Sequence, residues 1–180
     1  MTQHAPVLIV LLPLTASLLC MLFSRISKFL GSWIVMASIA GAFANACIVL
    51  QRVLESGGKT WHYWMGGWEP PIGIEFALDP LNSILAVVVT FISLMVSLYS
   101  RPFVKDEDWL HVGGYYTLFG LLTVGLSGMI ITGDVFNLYV YLEIMSVNDD
   151  FQTIQLSGFP FFALRLQLNV TDSVTFTEKE

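Results

Sequence analysis

Glu143 is the residue of this sequence whose type and place point most directly to chemistry. It sits in an apolar, aromatic-rich stretch, Val-Phe-Asn-Leu-Tyr-Val-Tyr-Leu-Glu-Ile, with no basic residue in the same segment. Asp134 opens that stretch nine positions earlier. At about 1.5 Å of rise per residue, a helix begun at Asp134 carries Glu143 roughly 14 Å along its axis, close to the middle of a hydrocarbon layer about 30 Å thick. A carboxyl at that depth costs on the order of 3 kcal/mol on insertion scales, and more when isolated. It must therefore face other protein and be paired, protonated or wetted. A carboxyl that can exchange between charged and neutral forms in a membrane suits a proton or cation relay. The same group could instead be a hydrogen-bond donor to a neighbouring helix, and the residues alone leave both roles open.

Asp134 itself has two readings, helix cap or accessory acid, and the cap is the simpler one. Gly133 suits the C′ position of a preceding helix, and Asp134 suits the N-cap of the next, where its charge complements the helix dipole. Nothing else resembles a catalytic or metal-binding constellation. His4, His62 and His111 are scattered at the ends of apolar runs, as solvated histidines are, and Cys20 and Cys47 lie inside such runs. No phosphate-cradling or dinucleotide glycine motif stands between a strand and a helix, so neither a cofactor nor a metal is expected.

The elements that must position Glu143 follow from composition. Of 180 residues, 55% are hydrophobic and only 12% charged, against roughly 25% charged in an ordinary soluble domain. A soluble globular protein and a disordered chain are both excluded, the latter because so much apolar surface cannot stay solvated. The net charge of −6 argues against nucleic acid, which requires a basic patch. Runs free of charged residues cover 5–23, 29–50, 80–100 and 112–133, each about the length that spans a bilayer. The first run lacks the basic flank and cleavage site of a signal peptide and reads as a retained helix. The expected fold is an all-α membrane protein with four full transmembrane helices, a shortened fifth, and an irregular polar C-terminal tail.

Arg25 and Lys28 follow the first span and Arg101 and Lys105 the third. The long second loop sets only Arg52 and Lys59 against Glu55, Glu69, Glu75 and Asp79. The positive-inside rule then places the N-terminus outside. In that second loop Trp61, Trp64 and Trp68, with Tyr63, form an aromatic belt suited to anchoring in lipid headgroups, and Gly66, Gly67, Pro70, Pro71 and Gly73 break it into a turn or short hairpin on the outer surface.

Two spans carry small-residue faces. On the third, Asp79, Ser83, Ala86, Thr90, Ser93, Ser97 and Ser100 recur at alternating steps of four and three, one stripe of a helix. On the fourth, Gly113, Gly120, Thr123 and Ser127 share a sector. Lipid gives helices no hydrophobic reason to associate, so such faces serve close packing. The third-span stripe could also line a water path, with packing the preferred reading. Five helices are not expected to bury both faces, which leaves room for outside partners.

The order of motifs is similar to a known family. Gly-Gly-Trp-Glu-Pro-Pro-Ile-Gly-Ile-Glu at 66–75 is followed by Leu-Asp-Pro-Leu-Asn at 78–82, then by Tyr-Tyr-Thr-Leu-Phe at 115–119 and Thr-Gly-Asp-Val-Phe-Asn-Leu-Tyr-Val-Tyr-Leu-Glu at 132–143. This resembles the start of antiporter-like proton-translocating subunits: the D-type subunit of Mrp-type multisubunit cation/proton antiporters and the related membrane subunits of respiratory complex I and energy-converting hydrogenases. The resemblance covers residues 1–146. It implies a larger helical bundle in a bacterial or archaeal cell membrane, partnered by other membrane subunits and the lipid bilayer. Such a bundle moves protons and, in some members, sodium, and any redox chemistry belongs to other subunits. It also implies that Glu143 matches the fifth-helix glutamate of the proton path, which works with a lysine on a later, broken helix.

After Ser146 the pattern stops at Val147, Asn148, Asp149 and Asp150. Residues 147–180 read as a tail foreign to the family, frame-shifted or disordered, because a change of composition inside a helix is not how domain boundaries fall. Within it, Phe162, Leu164, Leu166, Leu168 and Val170 alternate with other residues in the period of a strand, and 169–171 matches a glycosylation triplet of little weight. Two expectations follow. The favoured one is the truncated N-terminal part of an ion-translocating subunit. The alternative is a short five-helix membrane interaction protein without transport activity.

Overall fold

The computed structural model describes residues 4–68, 73–104 and 109–155. Five helices follow one another: α1 (Ala5–Ser24), α2 (Lys28–Glu55), α3 (Pro80–Val104), α4 (Trp109–Ile131) and α5 (Val135–Gln155). Between α2 and α3 stands an antiparallel hairpin of β1 (Trp61–Trp64) and β2 (Glu75–Leu78), in the register Trp61 opposite Leu78 and Trp64 opposite Glu75. α1 to α4 are each long and apolar enough to cross a membrane. The fifth helix continues to Gln155, further than its apolar part, which ends at Ser146. The alternating segment 162–171, the glycosylation triplet, Lys105 and the Glu69, Pro70 and Pro71 positions lie outside the described residues.

α4 is the helix around which the others are arranged. It packs against α1, α2, α3 and α5, whereas α5 has α4 as its main helical neighbour. Its sequence explains this place. Gly113 and Gly120 meet Ser24 and Ser17 of α1, two pairs each seven residues or about two turns apart, so that one seam runs along both helices. A Cβ at Gly113 would stand 2.7 Å from Ser24 Cβ, and one at Gly120 would collide with Ser17 Oγ. Gly31 of α2 closes on Ser24 and Cys20 in the same way. With no hydrophobic drive between helices in lipid, this backbone proximity is the source of dispersion contact.

The hydroxylated stripe of α3 turns inward as its spacing predicts: Ser83, Ala86, Thr90, Ser93, Ser97 and Ser100 are all buried. Their polar atoms are mostly satisfied within the helix. Thr90 donates to Ala86 O at 2.7 Å, Ser97 to Leu94 O at 2.8 Å and Ser100 to Ser97 O at 3.0 Å, a back-bonding habit of hydroxyls in membrane helices. Thr123 and Ser127 of α4 are buried as well. The five helices therefore bury both small-residue faces among themselves, contrary to expectation, because α4 is thin enough to be surrounded. What stays uncovered is large and apolar, Phe91, Ile92, Met95 and Leu98 on α3.

The hairpin closes one end of the bundle. Phe76 is fully buried and stacks on Tyr63, with ring centroids 6.4 Å apart. Tyr63 Oη and His4 Nδ1 hydrogen-bond at 2.8 Å, which ties the hairpin to the start of α1. Arg52 near the end of α2 lies over Trp61, 5.2 Å from the ring centre. Trp61 is thus half-covered, while Trp64 and Trp68 stay exposed.

Close packing at the seam generates a coupling. Gly120→Ala should destabilise the detergent-solubilised chain by about 1–3 kcal/mol, the usual cost of overpacking. In a Ser17→Ala background the same change should cost less than half as much. Reversible unfolding of the two single variants and the double variant measures this, and strictly additive effects would show that the two positions do not meet.

Candidate functional site

The site is built at the turn from α4 to α5. Gly133 donates its N–H to Glu75 O at 2.9 Å, and Thr132 bridges to Phe76, so the turn is pinned as a partial third strand on the hairpin. Gly133 does not take the left-handed conformation of a helix-terminating glycine. Its smallness serves proximity instead: a Cβ there would stand 3.0 Å from the Cβ of Ala77. The expected C′ role is corrected accordingly.

Asp134 is a helix cap in this geometry. Its Oδ1 accepts the Phe136 N–H at 3.1 Å, and its carbonyl accepts the Leu138 N–H at 2.9 Å, which satisfies donors that the first turn of α5 leaves open. Thr132 Oγ1 supports the arrangement, accepting from the Asn137 side chain at 3.1 Å and from the Asp134 N–H at 3.3 Å. Asn137 is buried. Asp79 caps α3 likewise, its Oδ1 accepting the Asn82 N–H at 2.6 Å ahead of Pro80 at the first helical position. The Asp-Pro pair signals this cap in the sequence, since proline suits the first turn.

From that anchored start, α5 presents two faces. Asn137 and Tyr141 are buried, and Met145 reaches α4 one turn further on. Gly125 and Gly128 of α4 receive them: a Cβ at Gly125 would stand 2.6 Å from Met145 Cγ, and one at Gly128 would strike the Tyr141 ring. Neither glycine belongs to the small-residue faces that the sequence singles out, and their i, i+3 spacing is the signal that could have found them.

Glu143 lies on the other face. It is exposed, as are Val135, Phe136, Tyr139, Val140 and Leu142 around it. The expectation that it faces the interior is therefore not met within these five helices. The rotation of α5 follows from Tyr141 and Met145 filling the glycine-lined groove of α4, which turns position 143 away. Among the described residues its hydrogen bond comes from Tyr139, whose Oη donates to Oε1 at 2.7 Å one helical turn back. Among the described residues, no basic side chain pairs with Glu143.

The remaining sequence candidates are dispersed. His62 pairs with Glu75 at 2.6 Å on the hairpin, His4 with Tyr63, and His111 is exposed at the start of α4. No group of three or more metal-ligating side chains is assembled among the described residues.

Residues 64–112 match the family model described as NADH-Ubiquinone oxidoreductase (complex I), chain 5 N-terminus. The chain is 40% identical over 147 residues to NADH-quinone oxidoreductase subunit N of Desulforudis audaxviator, a match that takes in 82% of this chain and 29% of that protein. It is 31% identical over 141 residues to the D-type subunit of a Na(+)/H(+) antiporter of Bacillus subtilis, covering 78% of this chain and 28% of the relative. Its homologues are antiporter-like membrane subunits, and it matches a part of them.

The fold agrees. A chain of the membrane-bound sulfane sulfur reductase, an archaeal respiratory membrane complex, superposes with a TM-score of 0.72 at 29% identity, over 81% of this chain and 29% of that one. A chain of the Mrp complex from Dietzia sp. gives 0.67 at 24% identity, a likeness of fold. The chain thus spans under a third of the length of these relatives, and with its four apolar helices it is an integral membrane protein.

The cap can be separated from any role for its charge. Asp134→Ala should lower stability by about 1 kcal/mol, whereas Asp134→Asn, which keeps the accepting oxygen, should stay within about 0.5 kcal/mol of the parent. Chemical unfolding of both variants tests this, and an Asn variant as unstable as the Ala variant would move the weight from the cap to the charge.

Proposed function

We propose that the chain is the N-terminal part of a proton-translocating or cation/proton antiporter membrane subunit, in which Glu143 is the proton-relay carboxyl. The observation that carries this is Glu143 itself: a carboxyl within the apolar part of α5, bonded among the described residues only to Tyr139, on a face surrounded by Val135, Phe136, Val140 and Leu142. Such a face is unstable against lipid unless further protein covers it. The relatives' share of matched length leaves them more than enough chain to do so.

In that setting the carboxyl takes a proton from one side of a hydrated interior and passes it to a basic group on the covering helices. Tyr139 orients the carboxylate by donating to one oxygen and leaving the other for the exchange. Other membrane subunits of an antiporter or complex-I-like assembly are the partners, and protons, with sodium in an antiporter, are what is moved. The N-terminus lies outside the cell membrane, with Arg25 and Arg101 on the inner side. Residues 147–180 stand apart from the family-like part of the chain.

The test uses the complete subunit in its assembled complex, reconstituted in vesicles. Glu143→Gln should reduce cation- or redox-driven proton flux at least tenfold, and Glu143→Asp should retain a measurable part. Flux unchanged in the Gln variant would remove Glu143 from the path.

A further inference from the structure

Both faces of α5 are largely apolar, so hydrophobicity does not decide which of them meets α4. Val135, Phe136, Val140 and Leu142 stay exposed, while Tyr141 is buried and Met145 reaches Gly125. In lipid such residues are no worse off outside than inside, and only shape and polar bonds discriminate between rotations of the helix. Gly125 and Gly128 supply the shape. The polar bonds come from Asn137.

Asn137 stands in the first turn of α5, 6% exposed. An amide side chain withdrawn from water is costly to bury unless its donors and acceptor are used. Its Nδ2 donates to Thr132 Oγ1 at 3.1 Å, and the Tyr141 hydroxyl, one turn further along the same face, bonds with the same side chain. Thr132 is a fixed partner. Its backbone bridges to Phe76 of β2, and its N–H donates at 3.0 Å to the carbonyl of Gly128, the residue whose missing side chain admits the Tyr141 ring. Its hydroxyl is fully used, accepting from Asn137 and from the Asp134 N–H and donating to Asp134 O at 3.3 Å. Thr132 thus belongs to the frame of α4 and the hairpin, and a side chain of α5 reaches it at one rotation of α5 alone. The polar pair on the opposite face lacks this property, because Tyr139 and Glu143 both belong to α5 and bond to each other however the helix is turned.

We propose that Asn137, through its bonds to Thr132 and Tyr141, selects the face of α5 presented to α4 and is thereby a positioning residue for Glu143. Glu143 follows six positions later, which at about 100° per residue sets it roughly 120° around the axis from Asn137. A buried asparagine that fixes the register of packed helices, with little gain in stability, is the best-attested use of such a residue in coiled coils. The choice of face holds whether or not Glu143 carries protons. Only its consequence for transport rests on the relay reading, and a failed flux test of Glu143 leaves the measurement below standing.

The test places spin labels one at a time at positions 138, 139, 142 and 144 of the full chain in lipid bilayers and measures collision with dissolved oxygen. Residues 138 and 144 are half-buried, and 139 and 142 are exposed. The parent should show at least twofold greater accessibility at 139 and 142 than at 138 and 144. Asn137→Leu combined with Tyr141→Phe removes both bonds, leaves no amide or hydroxyl of the pair unpartnered, and keeps an aromatic ring for the Gly128 groove. In that double variant the contrast should fall to less than half, with helix content and thermal midpoint at the parent's values. A variant that keeps more than half of the contrast means the glycine groove alone sets the rotation, and overturns the proposal. A contrast lost together with the midpoint or the helix content means that Asn137 holds α5 in place rather than choosing its face, and overturns it too. A parent without the contrast has no chosen face and contradicts it as well.

Discussion

The close approach of α4 to its neighbours is the constraint on which the rest of this structure depends. In lipid an apolar side chain is no better off against protein than against acyl chains, so helices gain from association only by bringing backbones and small side chains into dense contact. α4 does this on two sides with glycine: Gly113 and Gly120 against Ser24 and Ser17 of α1, Gly125 and Gly128 against Met145 and Tyr141 of α5. The hydroxyls nearby bond to carbonyls of their own helices and cost little to bury. α3 adds its serine and threonine stripe to the same assembly and leaves its large apolar residues exposed on the other side.

The hairpin turns this packing into a defined geometry for α5. It is bonded to the start of α1 through His4, lies over the end of α2 through Arg52, and accepts the Gly133 N–H from the end of α4. That last bond fixes the turn in which Thr132, Asp134 and Asn137 organise the first turn of α5. The chain therefore specifies where α5 begins and how it is rotated, and the rotation carries Glu143 to the uncovered side.

Much of this was legible in the residues. Charge-free runs located four spans, and the alternating four-and-three steps of Ser83 to Ser100 identified the buried face of α3, because helical periodicity survives whatever surrounds it. The loop aromatics and glycines foretold the hairpin, and Asp134 its cap. The rest depended on which helix neighbours which. Gly133 looked like a helix terminator and proved to be a site of close approach to Ala77, a distinction set by a strand nearly sixty residues away. The inward direction expected of Glu143 failed within five helices because Tyr141 and Met145 claim the groove of α4, and a one-dimensional pattern does not show which of two faces finds a groove first. The expectations for residues 147–180 fall largely beyond the described part of the chain.

The central claim is that the face of α5 bearing Glu143 is an interior face of a larger subunit, while the outer face of α3 meets lipid. Spin labels placed one at a time at positions 143 and 91, in the complete subunit within its complex, measure this through collision with dissolved oxygen, which concentrates in the bilayer core. The account predicts low oxygen accessibility at 143 and high accessibility at 91. Equal, high accessibility at both positions would place Glu143 against lipid and contradict it.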